Sequence, residues 1–123
     1  RILIVDDEPD THLLYKLKFK RLLKQVDFVS FLRAKDCLNY LNSHDEPIDL
    51  IISDIKMPEM DGFEFLKKTK SLYPQMPLYI VSAYNNPEYK NKSYRLGAQR
   101  FLEKPVDFRL MNSYFQEDFN FQN

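Results

Sequence analysis

Residues 2–9 read ILIVDDEP, an unbroken aliphatic run that ends in three acids and a proline. A strand made only of aliphatic residues is typical of a parallel sheet that helices cover on both faces. Pro9 favours the first turn of a helix, where its missing N–H costs little. The stretch therefore predicts a buried strand over 2–5, an acidic turn over 6–8 and a helix that begins at Pro9.

The same order of strand and helix recurs along the rest of the chain. The first helix is predicted to end near Lys24. Four further strands are predicted at 27–31, 48–53, 78–82 and 100–103. Four further helices are predicted at 34–41, 63–73 and 87–96 and after Pro105. This alternation predicts an α/β fold built on one parallel sheet.

Several side chains receive structural interpretations from their spacing. The apolar stripe of the first helix is assigned to Leu13, Leu14, Leu17 and Leu22, which we expect to face the core. His12 and His44 are interpreted as solvated side chains, since neither has a partner at a metal-ligand spacing. Cys37 is interpreted as a small buried residue among leucines.

Length, charge and cysteine content limit the classes of protein that this chain can represent. With 123 residues it has room for one domain, spanning 1–123. Eighteen basic and eighteen acidic residues leave no overall basic excess of the kind that is usual in nucleic-acid-binding domains, although neutrality leaves room for a small local basic patch. No apolar run approaches the roughly 20 residues that cross a bilayer. We expect no nucleic-acid or membrane partner, and a lone cysteine suits a cytoplasmic location.

The residues at or just after the carboxyl ends of the first, third, fourth and fifth predicted strands are polar or charged, except for Ala83. They are Asp6, Asp7 and Glu8, then Asp54, then Ser82 and Ala83, and finally Glu103 and Lys104. In a parallel sheet these ends meet at one edge, where ligands bind. Crowded carboxylates repel one another unless a cation neutralises them, and oxygen ligands without Cys or His favour Mg²⁺. With the metal bound, Asp54 can attack a phosphoryl group whose oxygens Ser82 and Lys104 receive.

The chain resembles, from Ile2 to the last helix, the receiver domain of two-component response regulators. The resemblance rests on the motifs ILIVDDEP, DLIISDIKMPEMDGFEFL, PLYIVSA and RFLEKPV, and on the spacing of Asp7, Asp54, Ser82 and Lys104. It implies a flavodoxin-like (βα)5 three-layer sandwich with strand order 2-1-3-4-5. It also implies Mg²⁺-dependent phosphoryl transfer from the phosphohistidine of a histidine kinase or a histidine phosphotransfer protein, in a regulatory domain without separate substrate turnover.

The resemblance assigns the metal and the acceptor to particular residues. Asp54 is the implied phospho-acceptor and, with Asp7, a direct ligand of Mg²⁺. Asp6 is implied to act mainly through a metal-bound water. Lys56 matches the position that offers its backbone carbonyl to the metal.

The resemblance also implies a switch. Ser82 and Lys104 bind phosphoryl oxygens, and Phe101 is the ring that turns inward as Ser82 moves. The surface of the fourth helix, fifth strand and fifth helix then changes for a partner to read. The Lys104–Pro105 bond is expected to be cis. Phosphate access and lifetime are assigned to Lys56, Ala83 and Tyr84.

The C-terminal segment, which includes Phe108 and Phe121, is rich in aromatic residues. One face of the predicted helix carries Met111, Phe115 and Phe119, and another carries Leu110, Tyr114 and Asp118. One face must pack on the sheet, so the other is a candidate surface for a homodimer or an output partner.

Other interpretations compete with these assignments. The acids before Pro9 also fit helix capping, and an aromatic residue at position 101 also fits the core. A receiver-like interaction module that works without phosphorylation is one alternative, although the complete set of site residues argues against it. A Mg²⁺-dependent phosphatase is another, but Lys56 stands where that class needs a general acid–base.

Overall fold

The computed structural model describes residues 1–43, 45–84 and 86–120. His44 and Phe121, which were given interpretations above, lie outside the described residues. Five strands form one parallel sheet in the order β2-β1-β3-β4-β5. They are β1 (Ile2–Val5), β2 (Phe28–Phe31), β3 (Leu50–Asp54), β4 (Leu78–Ser82) and β5 (Arg100–Glu103). The predicted strand order is confirmed.

Helices cover both faces of the sheet. They are α1 (Pro9–Lys18), α2 (Ala34–Ser43), α3 (Gly62–Leu72), α4 (Pro87–Arg95) and α5 (Phe108–Phe119). Helices α2 and α3 bury their apolar side chains against one face, where α4 also packs, whereas α1 and α5 pack on the other. Cys37 is buried in the core on the side of α2 and α3, as predicted. The three layers make a flavodoxin-like fold, which confirms the predicted fold class.

Helix α1 presents a different face to the sheet from the one that the sequence suggested. Leu13, Leu14 and Leu17 are 58%, 42% and 63% exposed, so their assignment to the core was wrong. Tyr15 and Phe19 pack there instead, and Phe19 lies 5.0 Å from Phe115 of α5 between ring centroids. Both faces have helical spacing, and the aromatic rings bury more apolar surface when they face inward.

The end of α1 and the side chain of His12 also differ from the predictions. Helix α1 ends at Lys18, and Leu22 is buried in a separate short 3-10 helix at Leu22–Lys24. His12 is 6% exposed, so its assignment to solvent was wrong. It occupies the inward face of α1 together with Tyr15 and Phe19.

One face of α5 packs on the sheet as predicted, through Met111 and Phe115. Leu110, on the other side, is 42% exposed. Asp118 accepts hydrogen bonds from Tyr79 of β4 and Arg100 of β5. These contacts join the C-terminal half of α5 to the sheet. Within the described part of the chain, no helix combines the length and the apolar character needed to span a bilayer.

Candidate functional site

Strand β3 delivers Asp54 to the carboxyl edge of the sheet. The loop that follows folds back tightly, and the N–H of Gly62 donates to the carbonyl of Ile55 at 2.7 Å. A Cβ at position 62 would lie 2.2 Å from the Asp54 carbonyl oxygen. Glycine is therefore required where α3 begins, because no side chain fits between the helix and the end of β3.

Three carboxylates meet at this edge. Asp6, Asp7 and Asp54 each offer one oxygen, and these oxygens lie within 4.8 Å of one another. Asp6 and Asp54 are buried, whereas Asp7 is exposed. Three hard oxygen donors with one side open to solvent fit a divalent cation that keeps some of its water. The structure thus brings together the three acids that the sequence placed in one site.

Lys104 completes the charged group. Its ammonium lies 2.8 Å from Asp54 Oδ2 and 3.0 Å from Asp6 Oδ2. Its backbone N–H donates to the Ser82 carbonyl, and the Lys104–Pro105 bond is cis, as predicted. Lys104 therefore reaches Asp54 across β4, which lies between β3 and β5 in the sheet.

Burial and pairing compete in setting the pKa values of this pair. Burial raises the pKa of Asp54 above its ordinary value, even though the nearby ammonium of Lys104 lowers it. Burial works to lower the pKa of Lys104, but its hydrogen bonds to Asp54 and Asp6 outweigh burial and raise it. The ammonium thus remains charged beside a carboxylate that is destabilised by burial, which favours a reactive oxygen at Asp54.

Three other predicted site residues lie on the neighbouring strands β4 and β5 or directly after them. Ser82 ends β4 and is buried, and its Oγ accepts a hydrogen bond from the Tyr84 N–H at 2.9 Å. Ala83 is exposed beside it. Phe101, on β5, is 8% exposed and belongs to the core on the side of α2 and α3. Its core contacts fit the simpler of the two interpretations given to this ring.

Lys56 lies over two aromatic rings at the rim of the site. Its ammonium is 5.0 Å from the centroid of Tyr84 and 5.7 Å from that of Tyr89. Tyr89, on α4, was missed by the sequence analysis because its distance along the chain gave no sign of contact with Lys56. The contact belongs to the cation–π class, and it places a cation and two rings beside the loop that follows Asp54.

His12 was also missed as a site residue. Its Nε2 lies 2.8 Å from the carbonyl oxygen of Asp6, and the contact is buried. The available signal was the helical spacing of His12 with Tyr15 and Phe19, which places the imidazole on the inward face of α1.

Comparison with known proteins agrees with this architecture. Residues 2–116 match the family described as the response regulator receiver domain. The response regulator GtcR of Aneurinibacillus migulanus is 38% identical over 106 residues, which are 86% of this chain and 42% of that protein. An uncharacterized 14.6 kDa protein of Leptolyngbya boryana is 36% identical over 120 residues, covering 92% of this chain and 88% of that one.

The fold likeness extends to solved structures. A CheY-like response regulator receiver domain protein of Methanospirillum hungatei JF-1 aligns with a TM-score of 0.76 and 32% identity, covering 98% of this chain and 93% of that chain. This chain spans less than half the length of GtcR, so it corresponds to one part of that protein. The family match covers every strand of the sheet and all four charged residues that meet at its edge. The chain belongs to the family of response regulator receiver domains.

Proposed function

We propose that residues 1–123 act as one phospho-accepting receiver domain, in which Asp54 takes a phosphoryl group from a phosphohistidine. The observation that carries this proposal is the ammonium of Lys104, which bridges Asp54 and Asp6 beside a third carboxylate. A buried nucleophilic oxygen, a fixed cation and a set of metal donors are the parts that phosphoryl transfer by charge neutralisation requires.

Mg²⁺ is the proposed cofactor. Asp6, Asp7 and Asp54 would hold it through carboxylate oxygens, Asp6 mainly through a metal-bound water, and the backbone carbonyl of Lys56 would add a further oxygen. When bound, the ion supplies positive charge that neutralises the phosphoryl oxygens and the crowded carboxylates.

The residues of the chain perform the transfer as follows. An oxygen of Asp54 attacks phosphorus in line, an O–P bond forms, the P–N bond to the donor imidazole breaks, and the nitrogen keeps the electron pair. The Lys104 ammonium and the Ser82 hydroxyl then bind oxygens of the acyl phosphate. The donor is a histidine kinase or a histidine phosphotransfer protein, and later hydrolysis restores the Asp54 carboxylate.

A change of surface is the proposed output. Movement of Ser82 towards the phosphoryl group alters the space beside Phe101 and favours a second arrangement of α4, β5 and α5. That surface is proposed to bind an output partner or a second copy of the chain. Leu110, which is 42% exposed on α5, gives this surface an apolar contact point.

Access to the phosphoryl group is proposed to depend on three residues around the acceptor. The small side chain of Ala83 leaves a path to Asp54, whereas Lys56 and the ring of Tyr84 lie together at the rim. A ring and a cation in this place reduce the approach of water, which lengthens the lifetime of the acyl phosphate.

The test is incubation with acetyl phosphate and Mg²⁺, followed by intact mass spectrometry. The expected result is the gain of one phosphoryl group, absent in Asp54→Ala and absent when EDTA replaces Mg²⁺. An unmodified mass with acetyl phosphate and with a phosphorylated phosphotransfer protein would contradict the proposal. That result would favour an interaction module that works without phosphate.

A further inference from the structure

The imidazole of His12 connects helix α1 to the acidic turn after β1. Its Nε2 lies 2.8 Å from the carbonyl oxygen of Asp6, and both residues are buried. A carbonyl oxygen only accepts hydrogen bonds, so the proton of this bond belongs to Nε2. His12 therefore donates to the backbone of a residue whose side chain belongs to the carboxylate group.

Among the described residues, three further hydrogen bonds hold Asp6. The backbone N–H of Asp6 donates to the Phe31 carbonyl at 3.0 Å. Its Oδ1 accepts from the Glu8 N–H at 2.9 Å, and its Oδ2 accepts from Lys104 at 3.0 Å. The carbonyl, which leads directly into Asp7, is held by His12. Asp6 and Asp7, which carry two of the three carboxylates, thus lie in a turn that the hydrogen bond from His12 anchors.

The turn needs such an anchor because its charges repel. Carboxylate oxygens of Asp6, Asp7 and Asp54 lie within 4.8 Å of one another. The Lys104 ammonium bonds Asp6 and Asp54 and offsets part of this repulsion, and backbone contacts to the turn oppose the rest. A site that is held in shape before the cation arrives loses less freedom on binding, and groups behind metal ligands commonly supply this restraint.

The second nitrogen of the ring argues against a purely stabilising role. His12 Nδ1 is buried and has no hydrogen-bond partner in the described structure. A buried polar atom without a partner costs stability, and an apolar side chain of similar size would fill the same space without that cost. The contact with Asp6 is the feature that an apolar side chain could not reproduce.

We propose that His12 is a positioning residue for the metal site, acting through the carbonyl of Asp6 on the turn that carries Asp6 and Asp7. This inference rests on the proposed function, since it concerns the Mg²⁺ that those residues are proposed to hold. His12 itself contacts neither the metal nor the phosphoryl group. It lowers the dissociation constant for Mg²⁺ by keeping the carboxylates together in the metal-free state.

A matched pair of amide substitutions tests the inference. The side-chain nitrogen of Gln reaches the place of Nε2 and can donate to Asp6, whereas that of Asn reaches only the place of Nδ1. Isothermal titration calorimetry with MgCl₂ at one pH gives the dissociation constant of each variant. We expect binding about 10- to 100-fold weaker for His12→Asn and His12→Leu, and close to wild type for His12→Gln.

The outcomes separate this inference from the proposed function. If the wild-type protein binds Mg²⁺ and both His12→Asn and His12→Leu bind it with the same affinity as wild type, this inference is overturned and the proposed function is not. A wild-type protein that binds no Mg²⁺ would overturn both proposals. Circular dichroism checks that each variant is folded. If the variants do not fold, nitrogen-15 NMR of the wild-type imidazole decides, because a proton on Nδ1 rather than Nε2 overturns the inference.

Discussion

The ammonium of Lys104 lies 2.8 Å from Asp54 Oδ2, although Asp54 ends β3, Lys104 follows β5, and β4 lies between these two strands. In the sheet, Asp54 of β3 lies beside Val81 of β4, and Ser82 of β4 lies beside Glu103 of β5. Strands β4 and β5 therefore end one residue beyond the level of Asp54. The backbone N–H of Lys104 donates to the Ser82 carbonyl, while its ammonium donates to Asp54. A small shift of β5 relative to β3 would therefore change the distance between this ammonium and the Asp54 carboxylate.

Removal of this ammonium is expected to slow phosphorylation. In Lys104→Ala, the ammonium that is proposed to bind a phosphoryl oxygen is lost, and we expect the rate with acetyl phosphate to fall by about 10²-fold. Lys104→Arg keeps the charge and should lose less. The time course of the phosphorylated fraction by intact mass gives both rates, and a wild-type rate in Lys104→Ala would exclude the proposed role.

Mg²⁺ is expected to stabilise the fold through Asp7. At a free concentration of 100 times its dissociation constant, a ligand that binds only the native state raises the free energy of unfolding by about 2.7 kcal/mol. Urea denaturation with Mg²⁺ and with EDTA measures the gain. Asp7→Asn should lose it, whereas Asp10→Asn, which removes an exposed acid outside the carboxylate group, should keep it. Equal gains in the two variants would place the ion elsewhere.

The lifetime of the phosphorylated state is expected to depend on Tyr84. Its ring is 48% exposed and carries the Lys56 ammonium at 5.0 Å. Tyr84→Ala opens a path for water, so we expect hydrolysis to become several-fold faster. The control is Tyr94→Ala, which removes another exposed ring, on α4. The half-life after removal of the phosphodonor is the measurement, and equal half-lives in wild type and Tyr84→Ala would refute the proposed shielding.

Acid is expected to weaken the attachment of α5 through Asp118. Burial works to raise the pKa of Asp118, but hydrogen bonds from Arg100 and Tyr79 outweigh it and hold the pKa below its ordinary value of 3.8. A lowered native pKa adds stability above the ordinary pKa, and this stability is lost as the pH falls through the native pKa.

Asp118→Asn isolates this contribution. We expect the variant to be less stable at pH 7 by about 1–2 kcal/mol, since a charge-assisted bond is lost, and to show a smaller decline towards pH 2. Glu117→Gln is the control, because Glu117 is 62% exposed and bonds Arg100 at the surface. Urea denaturation across the pH range measures both variants, and parallel curves for wild type and Asp118→Asn would count against the assignment.

The inward face of α1 gives a contrast in stability. Phe19 is 5% exposed and packs against Phe28, Phe108 and Phe115, so Phe19→Ala should cost about 3–5 kcal/mol. Leu17 is 63% exposed, and Leu17→Ala should change stability by about 0.5 kcal/mol or less. Chemical denaturation measures both, and the reverse order of effects would restore the leucine stripe as the buried face.

The sheet and most of the candidate site could be predicted from the order of residues. Aliphatic runs that are hydrophobic at every position specify strands buried on both faces, and parallel strands place their carboxyl ends at one edge whatever the details of packing. Asp6, Asp7, Asp54 and Lys104 were therefore expected together, and the structure brings them together. For these four positions, the place of each residue at the end of a predicted strand was enough to predict the site.

Periodicity could not decide which face of α1 turns inward or what its side chains contact. The leucines and the row of His12, Tyr15 and Phe19 both have helical spacing, so the choice depended on aromatic residues of α5 that lie about 90 residues further along the chain. The same holds for Tyr89 beside Lys56 and for His12 beside Asp6. Strand ends converge because backbone geometry requires it, whereas contacts between helix side chains depend on which surfaces meet when the layers pack.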